Sequence, residues 1–305
     1  MELTKNKMRV GIFYGGPSKE HEVSVISASE VYKHIDRNKY DVYQFEVSKS
    51  GQWPEGVSPE NIKSKIDFAL IIMHGAYGED GTIQEIFERI DLPFSGSGSK
   101  ASRLAMDKFL TQTKVQTLGV AMPRTWIIGK GEIDLNNLPD KLIIKPNDSG
   151  STEGLQLLDK DHLLQNWKQI QQDYDGCLLQ ERIFGRELTV PVLGQEVLPA
   201  IEILSENEVY DYDAKYTPGK SSHLVDPELP DDIAKALRDY TLAIHNLLGC
   251  KAMSRSDYLL DGDGLYYLET NTIPGLTSTS LLPESTAHAG INFPRLIDKI
   301  IELSS

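Results

Sequence analysis

Four polar residues near the C-terminal end stand at alternate positions in two stretches that otherwise read as strands. Arg255 and Asp257 lie in the first stretch, Glu269 and Asn271 in the second, and the turn sequence DGDG (261–264) separates them. A hairpin with a three-residue loop pairs Asp257 with Glu269 and Arg255 with Asn271, which places all four side chains on one face. A hairpin with a two-residue loop would instead put the two carboxylates on opposite faces.

This set of side chains has the chemistry of a metal and phosphate site. Magnesium binds few protein carboxylates and completes its coordination with water and phosphate oxygens. Asp257, Glu269 and Asn271 therefore predict a magnesium site, in which a bridging Glu269 would hold two ions. Arg255 beside them would bind a phosphoryl or carboxyl oxygen. The alternative is a solvated sheet face with balanced charge.

The residues after the second strand add donors to this site. Gly275 follows Pro274, and a residue without Cβ lets a ligand approach the backbone, whose N–H can donate to an oxyanion. The run Ser278-Thr279-Ser280 supplies hydroxyl groups. Ser280 is either a ligand contact or the N-cap of a following helix.

A second candidate phosphate site follows the strand-like segment LIIK (142–145). The next residues, PNDSGSTEG, are small and polar, so their N–H groups suit phosphate oxygens, and Lys145 adds positive charge. A plain turn is the alternative. The segment 96–101 partly matches the dinucleotide fingerprint, but no acidic residue stands about 20 positions later, so we reject an NAD-dependent oxidoreductase.

The elements that must position these residues indicate an α/β protein. Short apolar strands alternate with helical patterns near the N-terminus, which predicts a parallel sheet with flanking helices. Strands are predicted at 9–14, 42–47, 68–73, 125–128, 142–145, 177–181, 188–192, 200–204, 252–260 and 264–272. Helices are predicted at 23–34, 101–118, 163–172, 234–248 and 295–303. We divide the chain into three domains, at 1–100, 101–184 and 185–305.

Composition narrows the class of function. The 305 residues carry a net charge of −14, which argues against a nucleic-acid partner because phosphate backbones would be repelled. The two cysteines have neither metal-binding nor disulfide-framework spacing. Neither a signal sequence nor a run of about 18 apolar residues is present, so we expect a cytoplasmic protein with no membrane span.

The chain also carries an ordered series of motifs. They are GGPSKEHEVS (15–24), HGAYGEDGTIQ (74–84), AMDK (105–108), KPNDSGSTEG (145–154), GRELTV (185–190), YDYDAKY (210–216), RSD (255–257) and ETNTIPGLTSTSLLP (269–283). In this order and spacing the chain resembles the D-alanine:D-alanine ligase family of the ATP-grasp superfamily, over nearly its whole length.

The resemblance implies three α/β domains with ATP between the central and C-terminal ones, and D-alanine as the other substrate. It implies two magnesium ions, with manganese as a substitute, on Asp257, Glu269 and Asn271. ATP would contact Lys108, Lys145, Gln180, Glu181, Glu187 and Lys215. The first D-alanine would lie beside His74 with its ammonium on Glu20, and the second would meet Ser280 and Leu281. Arg255 and the Gly275 N–H would form the oxyanion hole, while Glu20, Ser151 and Tyr216 would meet in the closed state.

Some positions depart from the family pattern. Gln180 and Arg182 stand where an acid and an apolar residue are common in the adenine-binding segment, which leaves nucleotide selectivity open. Tyr216 favours an amine acceptor, and we expect His223, seven residues later, to be an exposed loop residue. The alternatives are a sister ligase with another D-amino acid or D-hydroxy acid as acceptor, and a non-catalytic nucleotide-binding module. The resemblance also implies a homodimer.

Overall fold

The structure is a computed structural model that describes residues 7–150, 154–205 and 221–305. The roles predicted for Ser151, Lys215 and Tyr216 lie outside the described residues. Three separate sheets organise the described part of the chain.

The N-terminal sheet is parallel, as the sequence predicts. Strand β1 (Met8–Gly15) lies at its centre between β2 (Tyr40–Val47) and β3 (Phe68–Ile71). Because helices and loops cover both of its faces, β3 is buried along its whole length, which explains its unbroken apolar sequence. The helices of this region are α1 (His21–His34), α2 (Ile62–Lys65) and α3 (Thr82–Arg89).

A second sheet is antiparallel and has the order β4-β7-β5-β6. Its strands are β4 (Thr125–Ile127), β5 (Lys141–Lys145), β6 (Gln156–Asp159) and β7 (Leu178–Glu181). Helix α6 (Lys160–Asp173) packs against it through Leu163 and Ile170, which join the buried cluster of this sheet.

The third sheet carries the predicted metal ligands and has the order β11-β10-β8-β12-β13, with β9 beside β8. Its strands are β8 (Arg186–Leu193), β9 (Glu196–Val197), β10 (Ile201–Ser205), β11 (Ser221–Val225), β12 (Met253–Leu260) and β13 (Leu265–Asn271). Helix α7 (Asp231–Leu248) packs through Leu237 and Ile244 on one face, where Leu188 and Tyr258 are buried. The opposite face of this sheet is left for the site.

The long helix predicted over 101–118 is two helices in the structure. Helix α4 (Ser99–Met106) ends at Asp107, which has extended backbone angles (φ −77°, ψ 95°). Helix α5 (Lys108–Val115) begins there, because the Asp107 carboxylate accepts from the Leu110 N–H and acts as its N-cap. The break places Lys108 in the first turn of a helix instead of in mid-helix.

Packing crosses the boundaries that the sequence suggests between domains. Leu296 and Ile300 of α9 (Phe293–Ser304) belong to the buried cluster of the N-terminal sheet. Val115 of α5 belongs to the cluster under the third sheet. The three-domain division at residues 100 and 184 stays a prediction. Among the described residues, no helix is both long and apolar enough to cross a membrane.

Candidate active site

The hairpin of β12 and β13 brings the four predicted residues together, although its turn differs from the prediction. Near the turn Leu260 pairs with Leu265 and Tyr258 with Tyr267, so the loop has four residues and not three. The register then shifts at a β-bulge, after which Asp257 pairs with Glu269. Arg255 pairs with Asn271, as predicted.

The bulge decides which face the second carboxylate occupies. Continuing the register of the turn would place Leu268 opposite Asp257 and put Glu269 on the other face. One extra residue on β13 reverses this alternation. The carbonyl of the extra residue, Leu268, accepts a hydrogen bond from the Gln112 side chain at 3.2 Å, which ties the bulge to α5.

Asp257 is held by donors from two strands. Arg255 donates to both of its carboxylate oxygens, through Nε and one terminal nitrogen, each at 3.1 Å. The Thr189 hydroxyl on β8 donates to Oδ1 at 2.5 Å, and Thr189 is the residue paired with Asp257 across the sheet. The carboxylate therefore has a fixed orientation toward the open face of the sheet.

Lys108 connects this face with the loop after β5. Its ammonium lies 3.6 Å from Glu269 Oε2 and donates to the Ser149 carbonyl. The same loop holds the start of α5, because Asn147 Oδ1 accepts from the Phe109 N–H at 2.9 Å. A cation from α5, an anion from β13 and the loop that follows LIIK thus meet at one point.

Two cavities meet at this point. The larger, of about 490 Å³, lies between the second and third sheets. The smaller, of about 130 Å³, lies between the N-terminal region and the end of the hairpin. Four residues line both cavities, and we call them the shared wall: Lys108, Ser149, Arg255 and Glu269.

Lys145 lines the larger cavity at the end of β5, where the sequence predicts it. Burial lowers the pKa of Lys145 to about 8, with Glu269 opposing that shift and Lys108 adding to it. A bound phosphate group would stabilise the charged form of this lysine and so oppose the effect of burial.

The remaining predicted nucleotide residues lie farther along the larger cavity. Gln180, Glu181 and Glu187 all line it. The Gln180 side chain is buried and donates to the Thr125 hydroxyl at 2.8 Å, while Glu181 accepts from Arg124 Nε at 2.9 Å. These two side chains already bind protein groups, so backbone atoms of β7 are the better candidates for reading a base.

The smaller cavity gathers residues that are far apart in sequence. Glu20 and His74 line it, as predicted, together with Glu79. The Glu79 carboxylate accepts from the Gly75 N–H at 2.7 Å and lies 4.0 Å from His74 Nδ1. Burial lowers the pKa of His74, but Glu79, Glu20 and a hydrogen bond with the Ile273 backbone together raise it above its ordinary value.

Glu20 also lies next to the loop of the second sheet. A Cβ placed on Gly150 would be 3.5 Å from Glu20 Oε2. The predicted meeting of Glu20, Ser151 and Tyr216 stays a prediction because two of its members are not described. Gly150, the residue before Ser151, nevertheless lies near the Glu20 carboxylate, and both line the smaller cavity.

Gly275, Ser280 and Leu281 form the far side of the smaller cavity. A Cβ on Gly275 would lie 2.7 Å from Ser280 Oγ, so no larger residue fits without movement. Ser280 occupies the N-cap position of α8 (Leu281–His288), but its hydroxyl makes no capping bond and instead accepts from the Thr277 N–H at 3.1 Å. The hydroxyl also lies 2.7 Å from the Thr277 hydroxyl, and Ser280 lines the smaller cavity.

His223 is not the exposed loop residue that we expected. It lies on β11, its side chain is 16% exposed, and its Nδ1 is 2.7 Å from Glu284 Oε2. The expectation failed because the glycine and serine residues before it indicate a loop, whereas strand pairing with β10 begins at Ser221.

Sequence reasoning missed three contributors to the site: Thr189, Glu79 and Ser149. Thr189 stands two positions after Glu187, and strand alternation from Glu187 would have found it. Glu79 lies in the same motif as His74, HGAYGED, but five positions away. Neither the spacing of a helix face nor strand alternation places two residues at that distance side by side. Ser149 contributes its carbonyl to Lys108, which no side-chain pattern reveals.

Family comparisons agree with this geometry. A family model described as D-ala D-ala ligase C-terminus matches residues 130–302. The corresponding model for the D-ala D-ala ligase N-terminus matches residues 9–63 and 54–97.

Relatives that match over nearly the whole chain are named D-alanine--D-alanine ligase. The D-alanine--D-alanine ligase of Pelotomaculum thermopropionicum is 38% identical, over 97% of this chain and 96% of the relative. That of Desulforamulus reducens is 36% identical, over 97% and 98%.

Among solved structures, the ATP complex of the Bacillus anthracis D-alanine--D-alanine ligase is similar, with a TM-score of 0.82 and 31% identity over 98% of this chain and 97% of that one. The VanG D-Ala:D-Ser ligase of Enterococcus faecalis has a TM-score of 0.83 and 28% identity, over 98% and 100%.

Proposed function

The chain belongs to the D-alanine–D-alanine ligase family, and on that premise we propose that it is an ATP-dependent, ADP-forming ligase. It joins two molecules of D-alanine into D-alanyl-D-alanine for peptidoglycan synthesis. The observation that carries the proposal is the shared wall, where a cavity large enough for a nucleotide meets a smaller one lined by polar residues. Ligation of this type needs a phosphoryl donor and a carboxylate acceptor to meet at one point.

In this proposal ATP binds in the larger cavity with its terminal phosphate at the shared wall. Lys108, 3.6 Å from Glu269, and Lys145, which lines the same cavity, are our candidates to neutralise phosphate charge, and Lys215 is a further candidate outside the described residues. Glu187, on the open face of the third sheet, is the candidate for the ribose hydroxyls. Gln180 and Glu181 border the base.

The first step activates a carboxylate. A carboxylate oxygen of the first D-alanine, bound in the smaller cavity with its ammonium on Glu20, attacks the γ-phosphorus of ATP. The bond to the β-phosphate oxygen breaks, and ADP and an acyl phosphate form. Phosphoryl transfer depends on positioning and charge neutralisation more than on covalent catalysis, which suits a site built from two lysines and one arginine.

The second step forms the peptide bond. The amine of the second D-alanine, once it has lost a proton, attacks the carbonyl carbon, and the bond to the phosphate oxygen breaks to release phosphate. Arg255 and the Gly275 N–H are our candidates to stabilise the tetrahedral oxyanion. Ser280 and Leu281 border the second substrate. We assign to the close approach of Glu20 and the loop at Gly150 the role of keeping out water, which would otherwise hydrolyse the acyl phosphate.

The donor set fits magnesium. Asp257 and Glu269 are paired across the hairpin, and Asn271 stands two positions along the same face. Within the described residues there is no cluster of three His, Cys, Asp or Glu side chains, so the protein alone offers two carboxylates and an amide oxygen. That number is typical of magnesium sites completed by phosphates and water. Bound there, the metal would neutralise charge that develops on the phosphates.

The proposal predicts a balanced reaction. Purified protein with ATP, magnesium and D-alanine should release ADP and phosphate in equal amounts to dipeptide, measured by a coupled phosphate assay and mass spectrometry. The isosteric variants Asp257→Asn and Glu269→Gln should lose turnover while folding normally. ATP binding without dipeptide formation would indicate the non-catalytic nucleotide-binding module instead.

A substrate panel tests the acceptor. D-serine and D-lactate compared with D-alanine, each scored by phosphate release, distinguish the proposed ligase from a sister enzyme with another acceptor. A homodimer and a cytoplasmic location stay predictions, to be tested by light scattering and by fractionation.

A further inference from the structure

His223 lies on the same face of the third sheet as the candidate nucleotide residues. The strand register pairs Leu259 with Glu187, Glu187 with Ile203, and Ile203 with His223. Directly paired residues point to the same side of a sheet, so this row runs across four strands on the open face. Two strand spacings of about 4.8 Å separate His223 from Glu187.

From this position His223 reaches the helix that follows Ser280. Its Nδ1–H donates to Glu284 Oε2 at 2.7 Å, and the two side chains are 16% and 33% exposed. Glu284 is in the first turn of α8, three residues after Leu281, so the two are neighbours on one side of the helix. Leu281 itself packs on Ile201 and Ile203 of β10.

The first turn of α8 is thus fastened to the edge of the sheet at two points. One is the apolar contact of Leu281, and the other is the bond between His223 and Glu284. Strand β11 is the edge strand, so it has a strand neighbour on one side only among the described residues. A hydrogen bond to an ionised carboxylate in a partly buried place is stronger than an exposed one.

We propose that His223 and Glu284 are positioning residues for the acceptor site. By fixing the first turn of α8 they hold Ser280 and Leu281 at the border of the smaller cavity, where the second D-alanine would bind. This inference rests on the proposed ligase function. Neither residue touches the reacting atoms, so loss of the bond weakens acceptor binding and leaves ATP binding intact.

The variant His223→Phe tests this because it removes the donor but keeps a ring of similar size. A reaction that uses two molecules of D-alanine has two Michaelis constants, obtained from initial rates over a wide range of D-alanine concentration. We expect one of these constants to rise about tenfold, the usual scale for one lost hydrogen bond to a charged group. The other constant, the KM for ATP and kcat should stay within about twofold.

Two conservative variants and one matched control accompany it. His223→Gln keeps an N–H donor and Glu284→Gln keeps an acceptor oxygen. In both variants the affinity for D-alanine should therefore stay close to that of the wild-type chain. His288→Phe makes the same substitution at the other end of α8, where Nε2 is 4.0 Å from Asp226 and both side chains are exposed. It should change neither Michaelis constant.

The outcomes separate the two proposals. Unchanged D-alanine constants in His223→Phe would overturn the positioning role while leaving the ligase function intact. If His223→Phe instead raises all three Michaelis constants together, lowers kcat and Tm, and His223→Gln does the same, His223 is a general stability residue. That result would also overturn the positioning role. Absence of dipeptide with the wild-type chain would remove the ligase function, and this inference with it.

Discussion

The two cavities differ in how their walls are assembled. The larger one is built mainly from strands and their adjoining loops in the second and third sheets, and much of its lining comes from one run, residues 180–187. The smaller one is lined by Glu20, His74 and Glu79 of the N-terminal region, together with Arg255 and residues within 105–108, 149–150 and 269–281. Among the described residues, none before Lys108 lines the larger cavity. The smaller cavity therefore exists only when the N-terminal region is packed against the other two sheets, which the larger cavity does not require.

The two cavities should respond differently to substitution. Changes in the shared wall should affect both halves of the reaction. Changes in the smaller cavity alone should affect D-alanine and leave ATP. Four changes test that separation.

Arg255→Ala should have the largest effect, because Arg255 lines both cavities and orients Asp257. Removal of one oxyanion donor typically lowers kcat by about a hundred- to thousandfold, measured here by phosphate release. Arg9→Ala is the matched control: Arg9 also makes a two-pronged contact, to Asp67, but lies outside both cavities. If Arg255→Ala also lowers Tm by many degrees, the loss of activity reflects unfolding, and Arg255 has a structural role instead.

Gly275→Ala should act on the smaller cavity alone. The new methyl group would stand 2.7 Å from Ser280 Oγ, which is itself held by Thr277, so the turn must open. Overpacking of this kind costs on the order of 1–3 kcal/mol, and we expect the KM for D-alanine to rise about tenfold. The Kd for ATP, from calorimetry, should not change. Gly262→Ala, with open space around its Cβ position, is the control; equal effects of the two variants would contradict this picture.

Thr189→Val should lower kcat by less, because Thr189 acts through Asp257, which lines the larger cavity. It removes the 2.5 Å hydrogen bond to Asp257 while keeping the side-chain volume. One such bond contributes about 1 kcal/mol, so kcat should fall about fivefold, and Thr189→Ser should restore it. If Thr189→Ser behaves like Thr189→Val, the hydroxyl is not what matters there.

The pH dependence of ATP binding should show the smallest effect. Lys145 has its pKa lowered to about 8, so its charged form is lost as pH rises through 8. If only the charged form binds phosphate, the apparent Kd rises about fourfold between pH 7 and pH 8.5. Calorimetry in buffers of different ionisation enthalpy should detect proton uptake on binding at pH 8, and Lys145→Arg should abolish both effects. A flat Kd over this range in the wild-type protein would argue against contact between Lys145 and the phosphates.

Much of the fold follows from local sequence. The unbroken apolar run of β3 is typical of a strand buried on both faces, and the structure confirms the parallel sheet. The prediction of a single helix over 101–118 was wrong, because the Asp107 side chain competes with the helix backbone and starts a new helix, which ends at Val115 before a 3₁₀ turn. That break sets the place of Lys108 in the site.

The candidate site, too, follows partly from local sequence and partly from tertiary structure. Period-two alternation along a strand is local, so the sequence alone determined that Arg255 shares a face with Asp257, and Glu269 with Asn271. Whether those two faces coincide depends on pairing between strands, where a single extra residue reverses the answer. The bulge at Leu268, with its carbonyl bound by Gln112 of α5, decided it. Only tertiary structure could settle that point, because the contact joins residues 156 positions apart and no local preference encodes it.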